Sequence, residues 1–293
     1  MKIRLTLAQI NYDSSNVHGH IERIKAIISE YRASDLIVFP ELILHGHPSL
    51  ERPEGLLYRI MEGRERRLSE ELARFVRDMD TRVILGEIRR KGDYFYNMAT
   101  YMDDVSVQSY AKTHIHWTEH FIPGKELPVF STPAGRLGMM ICFDAAFPEV
   151  GRVLALRDAQ IIVNIASVPM TFSPKYMQRR LAAIALNNQV FVVYVNRPAP
   201  NFAGHSAVFD PRGNLLTQAD KDESVFHVDI DLEDIRRWRE EEHIYGHRRP
   251  LLYRDIVLRK SKHTEKKKMP VLGKKTTKTL QRKSSRSSGG RNE

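Results

Sequence analysis

The chain has 293 residues, 42% of them hydrophobic and 9% aromatic, which is enough apolar surface for a substantial core in one large domain or two small ones. Its one cysteine excludes an intrachain disulfide and any zinc site built from several thiolates, and fits a reducing compartment. The net charge of +10 belongs to one end: residues 259–293 hold 13 Lys and Arg against two Glu, whereas the rest holds 33 basic and 34 acidic residues.

The opening MKIRLTLAQINYD alternates Ile3, Leu5 and Leu7 with Arg4 and Thr6 and reads as a strand that begins at once, with no room for a signal peptide. No apolar run approaches the roughly 20 residues that cross a bilayer. A soluble cytoplasmic protein is expected. Ile21, Ile24, Ile28 and Tyr31 recur at helical spacing, and DLIVFPE is a short buried run that ends at Pro40. Leu68, Leu72, Phe75 and Met79 mark a second amphipathic helix, followed by the strand RVILGEI and by strand candidates YNMATYM and VSVQSYAK.

GRLGMMICF is a further strand candidate. Pro148 and Glu149 suit the first turn of a helix through Leu156, because proline loses only an orphan N–H there and a carboxylate favours the positive end of the helix dipole. QIIVNIA reads as a strand, PKYMQRRLAAIALNNQ as a helix and VFVVYVN as a strand. HSAVFD and NLLTQ flank Pro211, Arg212 and Gly213 as a hairpin, and SVFHVDID precedes the charged helix LEDIRRWREEE. Strands alternating with helices in this way predict a mixed α/β sandwich over residues 1–258. Residues 259–293 lack periodicity and bury too little to offset their ordering entropy, so a disordered basic tail is expected, with nonspecific contact to polyanions as its functional reading and a solvated extension as the plainer one.

Three polar residues stand where apolar strands end: Glu41 after LIVFP, Lys112 after SVQSYA and Cys142 after GMMI. Strand ends display reactive groups because a rigid sheet holds them while loops admit a substrate. A thiol is mostly protonated near pH 7, so a nucleophilic cysteine needs a base or a nearby cation. Glu41 could supply the first and Lys112 the second, with the Phe143 N–H beside Lys112 for an oxyanion. Spacing alone does not show that the three converge, and from residue types alone a buried, inert cysteine that is merely core filler is the favoured reading.

FPE at 39–41, YAKTHI at 110–115 with Glu119 and FIPGKE after it, and GMMICFDAAFPEVGR at 138–152 resemble, in order, the signature segments of the nitrilase or carbon-nitrogen hydrolase superfamily. LAAIALNNQVFVVYVNR and FAGHSAVFDPRGNLL resemble its later helix, strand and closing hairpin, so the likeness covers about residues 1–250. The resemblance implies a four-layer α-β-β-α sandwich, a Glu41, Lys112 and Cys142 triad with Glu119 as the second glutamate that holds the lysine, no cofactor and no metal, and a homo-oligomer. It implies hydrolysis of a small amide or N-carbamoyl substrate through a cysteine thioester, with amidase and carbamoylase members more similar than true nitrilases. Of the two FPE tripeptides, Glu41 takes the catalytic expectation and Glu149 the structural one; Asp144 is expected to order the nucleophile turn.

Two rivals stand beside this reading. HIHWTEH offers His114, His116, Glu119 and His120 to a metal, without the HExxH spacing that puts two histidines on one helical face. A noncatalytic nucleic-acid-binding protein would depend on the tail, so that removing residues 259–293 would abolish its function, whereas hydrolase turnover would survive. His45 and His47 read equally as pocket lining or surface loop. SVPMTFSPKYMQRR is expected to border the pocket, where Arg179 or Arg180 could meet a substrate carboxylate, with an exposed helix face as the plainer reading for both.

Overall fold

The computed structural model describes residues 1–48 and 67–258. The tail expectation for 259–293 lies outside these residues. One compact unit spans Met1–Arg248. A second begins at Arg249, where a 3-10 turn at Pro250–Tyr253 leads into a short helix over Arg254–Leu258. The compact body thus closes at Arg248, earlier than position 258 where the change in composition falls.

The first half of the unit runs β1 (Lys2–Gln9), α1 (Val17–Glu30), β2 (Leu36–Val38), α2 (Leu68–Asp78), β3 (Val83–Lys91), β4 (Tyr94–Met102) and β5 (Val107–Ala111). The second runs β6 (Val129–Thr132), β7 (Gly135–Ile141), a 3-10 turn (Cys142–Ala146), α3 (Pro148–Leu156), β8 (Ile161–Ala166), α4 (Pro174–Asn188), β9 (Phe191–Asn196), β10 (Ala207–Phe209), β11 (Leu215–Gln218), β12 (Ser224–Asp231) and α5 (Glu233–Glu241). Two six-stranded sheets result, ordered β12-β1-β2-β3-β4-β5 and β11-β10-β9-β8-β7-β6. Strands β1, β2 and β3 are mutually parallel, as are β7, β8 and β9, and antiparallel strands extend each sheet.

Parallel strands buried on both faces need apolar residues at every position, and these have them. In β8, Ile161, Val163 and Ile165 enter the core between the sheets while Ile162 and Ala166 face helices α3 and α4. In β2, Leu36 and Val38 enter the central core and Ile37 packs under α1 and α2. Three apolar layers therefore separate four structural ones, which is the α-β-β-α sandwich. Helix α1 is capped by Asn16, whose side chain accepts from the Gly19 N–H at 2.9 Å, and it buries Ile21, Ile24, Ile27 and Ile28. In α3, Pro148 occupies the first turn and Glu149 stands exposed beside it, which is the structural role expected for this second FPE.

Two local features differ from the reading of the sequence. Strand β6 escaped it, being three part-buried residues and the exposed Ser131 between Pro128 and Pro133 at a sheet edge, with almost no periodicity to read. GRLGMMICF is not strand throughout: β7 stops at Ile141, and Cys142 and Phe143 begin the 3-10 turn.

Candidate active site

Glu41 follows β2 by three residues and turns sharply, since Leu42 after it has φ +54°. Gly86 in β3 permits this turn: a Cβ there would lie 2.2 Å from the Leu42 nitrogen and 2.6 Å from the Glu41 Cα. The Gly86 N–H donates to Pro40 O at 3.1 Å, and Gly86 O accepts from the Leu44 N–H at 3.1 Å, so the Glu41 segment is stitched to the sheet on both sides. Glu41 is 1% exposed.

Lys112 stands one residue beyond β5 and is wholly buried. Its N–H donates to Asn97 O at 2.9 Å and its carbonyl accepts from Gly124 N–H at 2.8 Å, which fixes the backbone from which the side chain starts. The ammonium donates to Glu41 Oε1 at 3.0 Å and to Glu119 Oε1 and Oε2 at 2.7 and 3.0 Å. Asn97, on β4 and also wholly buried, donates from Nδ2 to the same Glu41 Oε1 at 2.7 Å. One carboxylate oxygen of Glu41 is thus held by two donors, and Oε2 is buried with no hydrogen-bond partner among the described residues.

Cys142 has φ +46°, a left-handed conformation that costs an L-residue about 1–2 kcal/mol. Asp144 offsets that cost from inside the turn. It is wholly buried, and its carboxylate accepts from the Ile141 N–H at 2.9 Å, the Tyr110 hydroxyl at 2.7 Å, the Thr113 hydroxyl at 3.0 Å and the His114 N–H at 2.9 Å. These bonds tie the cysteine turn to the segment after β5, so Asp144 orders the turn as expected. The Phe143 N–H lies at the start of the 3-10 turn, where the helix itself supplies no acceptor.

Electrostatics separates the four groups. Burial favours the neutral acid at Glu41, but the Lys112 ammonium and then His47 outweigh it, so its carboxyl is held below the ordinary range. Burial also opposes the charge on Lys112, yet Glu41 and Glu119 together raise it above a free lysine. Glu119, the second carboxylate on one ammonium, is pushed up to about 7, first by burial and then by the Glu41 charge, against the pull of Lys112. Burial and the Glu41 charge raise the Cys142 thiol well above the usual range, while Lys112 and the Ser167 N–H draw it the other way. At neutral pH the site holds an ionised Glu41, an ammonium and a protonated thiol.

Of the remaining candidates, the HIHWTEH side chains are committed elsewhere. His114 Nδ1 lies 3.0 Å from Asp144 Oδ1 and stacks on Phe147, His116 stacks on Trp117, and Glu119 holds Lys112. Among the described residues no group of His, Cys, Asp and Glu is arranged to hold a metal. His45 and His47 are both buried, which removes the surface-loop reading; His45 Nδ1 accepts from the Ile88 N–H at 3.0 Å and so braces the Glu41 loop against β3. Arg179 is exposed, and Arg180 lies over the Tyr176 ring. Asn97 was missed, and Ser167 was expected only as the first residue of the pocket-bordering segment SVPMTFSPKYMQRR, without a role of its own. The signal for Asn97 was a lone amide inside the apolar strand YNMATYM; Ser167 acts through its backbone and leaves no sequence signal.

No helix among the described residues is long and apolar enough to cross a membrane. The chain is 27% identical over 274 residues to a probable nitrilase of Schizosaccharomyces pombe, covering 88% of this chain and 99% of the relative. It is 28% identical over 260 residues to an (R)-stereoselective amidase of a Pseudomonas species, covering 85% and 93%. Its fold matches that of a carbon-nitrogen hydrolase from Helicobacter pylori G27 with a TM-score of 0.79 at 21% identity, over 88% of this chain and 99% of that one. It matches an amidase from Nesterenkonia sp. AN1, solved with the acetamide moiety of fluoroacetamide added covalently at the active site cysteine, with a TM-score of 0.75 at 22% identity, over 86% and 96%. The carbon-nitrogen hydrolase family model matches residues 4–240, the whole of the sandwich that carries Glu41, Lys112 and Cys142, and the chain belongs to that family.

Proposed function

We propose that the chain hydrolyses the C–N bond of a small amide or N-carbamoyl compound, with Cys142 as nucleophile, Glu41 as general base and acid, Lys112 and the Phe143 N–H as oxyanion donors, and Glu119 as the group that holds Lys112. The observation that carries this reading is the division of labour at Glu41. Oε1 is pinned by Lys112 and Asn97, and Oε2 is left without a hydrogen-bond partner among the described residues, in a site with a protonated thiol.

A raised thiol and a lowered carboxyl make resting proton transfer from Cys142 to Glu41 unfavourable. The proton therefore moves as sulfur bonds to the carbonyl carbon, when negative charge passes from sulfur to oxygen instead of accumulating on the thiolate. The oxygen's charge falls beside Lys112 and the Phe143 N–H, which are fixed before the reaction begins. Collapse breaks the C–N bond, and Glu41 returns its proton to the departing nitrogen, releasing ammonia or an amine. Water then attacks the thioester and gives a proton to Glu41; collapse breaks the C–S bond, Glu41 returns the proton to the departing sulfur, and the acid and the free thiol result. Asn97 is a positioning residue: its side chain orients Glu41 and its carbonyl orients Lys112.

Intact-mass measurement after brief exposure to amides, N-carbamoyl amino acids and nitriles tests the reading and sorts the substrate classes. An acyl adduct on the wild type that is absent from Cys142→Ala is expected. Turnover that survives in Cys142→Ala and disappears with a chelator would overturn the cysteine mechanism in favour of a metal.

A further inference from the structure

Three segments that adjoin the buried groups of the site share a composition. Residues 113–118 join Lys112 to Glu119, residues 142–148 form the cysteine turn, and residues 167–173 follow Ser167, whose N–H acts on the thiol and whose hydroxyl donates to Glu41 O at 3.2 Å. None of the three contains a lysine or an arginine. Three of their exposed side chains are large and apolar, Trp117 at 77%, Met170 at 51% and Phe172 at 38%, and the other exposed residues, Thr118, Pro148, Thr171 and Ser173, carry no charge.

The rings of the first two segments form one cluster around Phe143, the residue next to the nucleophile. Phe143 meets Trp117 edge to face at 5.7 Å, His116 at 5.1 Å and Phe147 at 5.3 Å. His116 stacks on Trp117 at 3.8 Å, and His114 stacks on Phe147 at 3.9 Å. Burial and then the Lys112 charge lower the His116 pKa, which keeps that ring neutral. Lys112 and Glu41 are the charges that act on His116; the cation is engaged by two carboxylates, and Asp144 by the donors of its turn. A substrate carboxylate would meet no uncommitted cation on these segments and would lose hydration without compensation.

Trp117 packs on His116 and Phe143 and still leaves most of its ring in water, on the strap between two buried site residues. We propose that this ring cluster is the acyl-binding wall of the site, and that the substrate is an uncharged amide whose acyl part carries an aryl or bulky apolar group that packs on Phe143 and Trp117. The proposal rests on the cysteine hydrolase reading and narrows it: N-carbamoyl amino acids and monoamides of dicarboxylic acids are disfavoured, and aryl-substituted carboxamides are favoured. The packing of a ligand ring against two aromatic edges supplies the preference.

Binding needs no chemistry, so the test uses the full chain with Cys142→Ala and measures calorimetric affinity for phenylacetamide, propionamide and succinamate. Phenylacetamide is expected to bind about tenfold more tightly than propionamide, as one well-packed aromatic contact allows, with succinamate the weakest. Adding Trp117→Ala should collapse the phenylacetamide to propionamide ratio, and Trp117→Phe should restore most of it. The exposure of Trp117 makes loss of the fold a poor explanation for either change. Tightest binding of succinamate, no saturable binding of phenylacetamide, or a ratio unmoved by Trp117→Ala would each overturn the proposal. Failure of the cysteine reading appears separately, as wild-type turnover with no acyl adduct.

Discussion

Six residues separate Lys112 from Glu119, and burial reverses twice across them: Lys112 is 0% and Glu119 9% exposed, while Trp117 between them is 77% exposed. The two buried ends clasp each other at 2.7 Å and turn charge inward, whereas the middle presents rings to solvent. One short strap therefore serves two purposes. In the proposed reaction its ends would form a charged floor that is the same for every amide, and its middle a rim that distinguishes one acyl group from another. Variants of the floor should change the rate for all substrates together and disturb stability; variants of the rim should change ratios between substrates and leave stability within about 0.5 kcal/mol.

The largest break in that comparison is expected from Lys112→Met, which keeps the volume and removes the charge. Turnover should fall by roughly 10³-fold for every amide, the cost of losing a preorganised oxyanion donor. Thermal or denaturant unfolding should show a loss of about 3–5 kcal/mol, because two carboxylates are left buried without a cation. Adding Glu119→Gln should recover part of that stability and none of the activity; if both return, Lys112 is structural and the floor has been misread.

Asn97→Leu is expected to act next most strongly. Loss of a hydrogen bond to a charged group, worth about 1.5–3 kcal/mol, should lower kcat by roughly 10- to 100-fold. The sign of the pH effect is fixed by the site. Asn97 favours the ionised form of Glu41, so removing it raises that carboxyl and moves the acid limb of the kcat/KM profile to higher pH. Asn97→Asp, which puts a second carboxylate beside the first, should move the limb further in the same direction. A fall in rate with an unmoved profile would reduce Asn97 to a packing residue.

Glu119 gives the smallest effect, and it concerns stability against pH. Its folded-state pKa of about 7 lies above the ordinary glutamate value of 4.5, so the fold binds its proton more tightly than the unfolded chain does. Its contribution is present below pH 4.5 and is lost as pH rises toward and through 7. Chemical denaturation at a series of pH values should show this decline in the wild type, and the decline should vanish in Glu119→Gln. Glu41 works in the opposite sense, losing its contribution only as pH falls below the ordinary carboxylate range, so the two windows do not overlap.

The order of elements was legible because period-two and helical patterns are local, and so was the candidacy of Glu41, Lys112 and Cys142, each a polar residue closing an apolar run. The family resemblance in those runs carried the four layers. Other features were not legible for identifiable reasons. Strand β6 is short, at an edge and part-buried, so it lacks the alternation that announces a strand. The role of Asn97 depends on a partner 56 residues away, and that of Ser167 on a backbone N–H. Trp117 reads in sequence as one aromatic among histidines, and only its exposure beside Phe143 gives it meaning.

By itself the sequence determined which residues could do chemistry and in what order they arrive on the strands, since residue type and strand periodicity are properties of a short window. Tertiary structure decided which of them meet. Lys112 reaches Glu41 across 71 residues and Glu119 across seven, and the fold that brings all three together also leaves one oxygen of Glu41 without a hydrogen-bond partner among the described residues. Local sequence cannot encode that asymmetry, because a carboxylate's two oxygens differ only in what the fold places beside them.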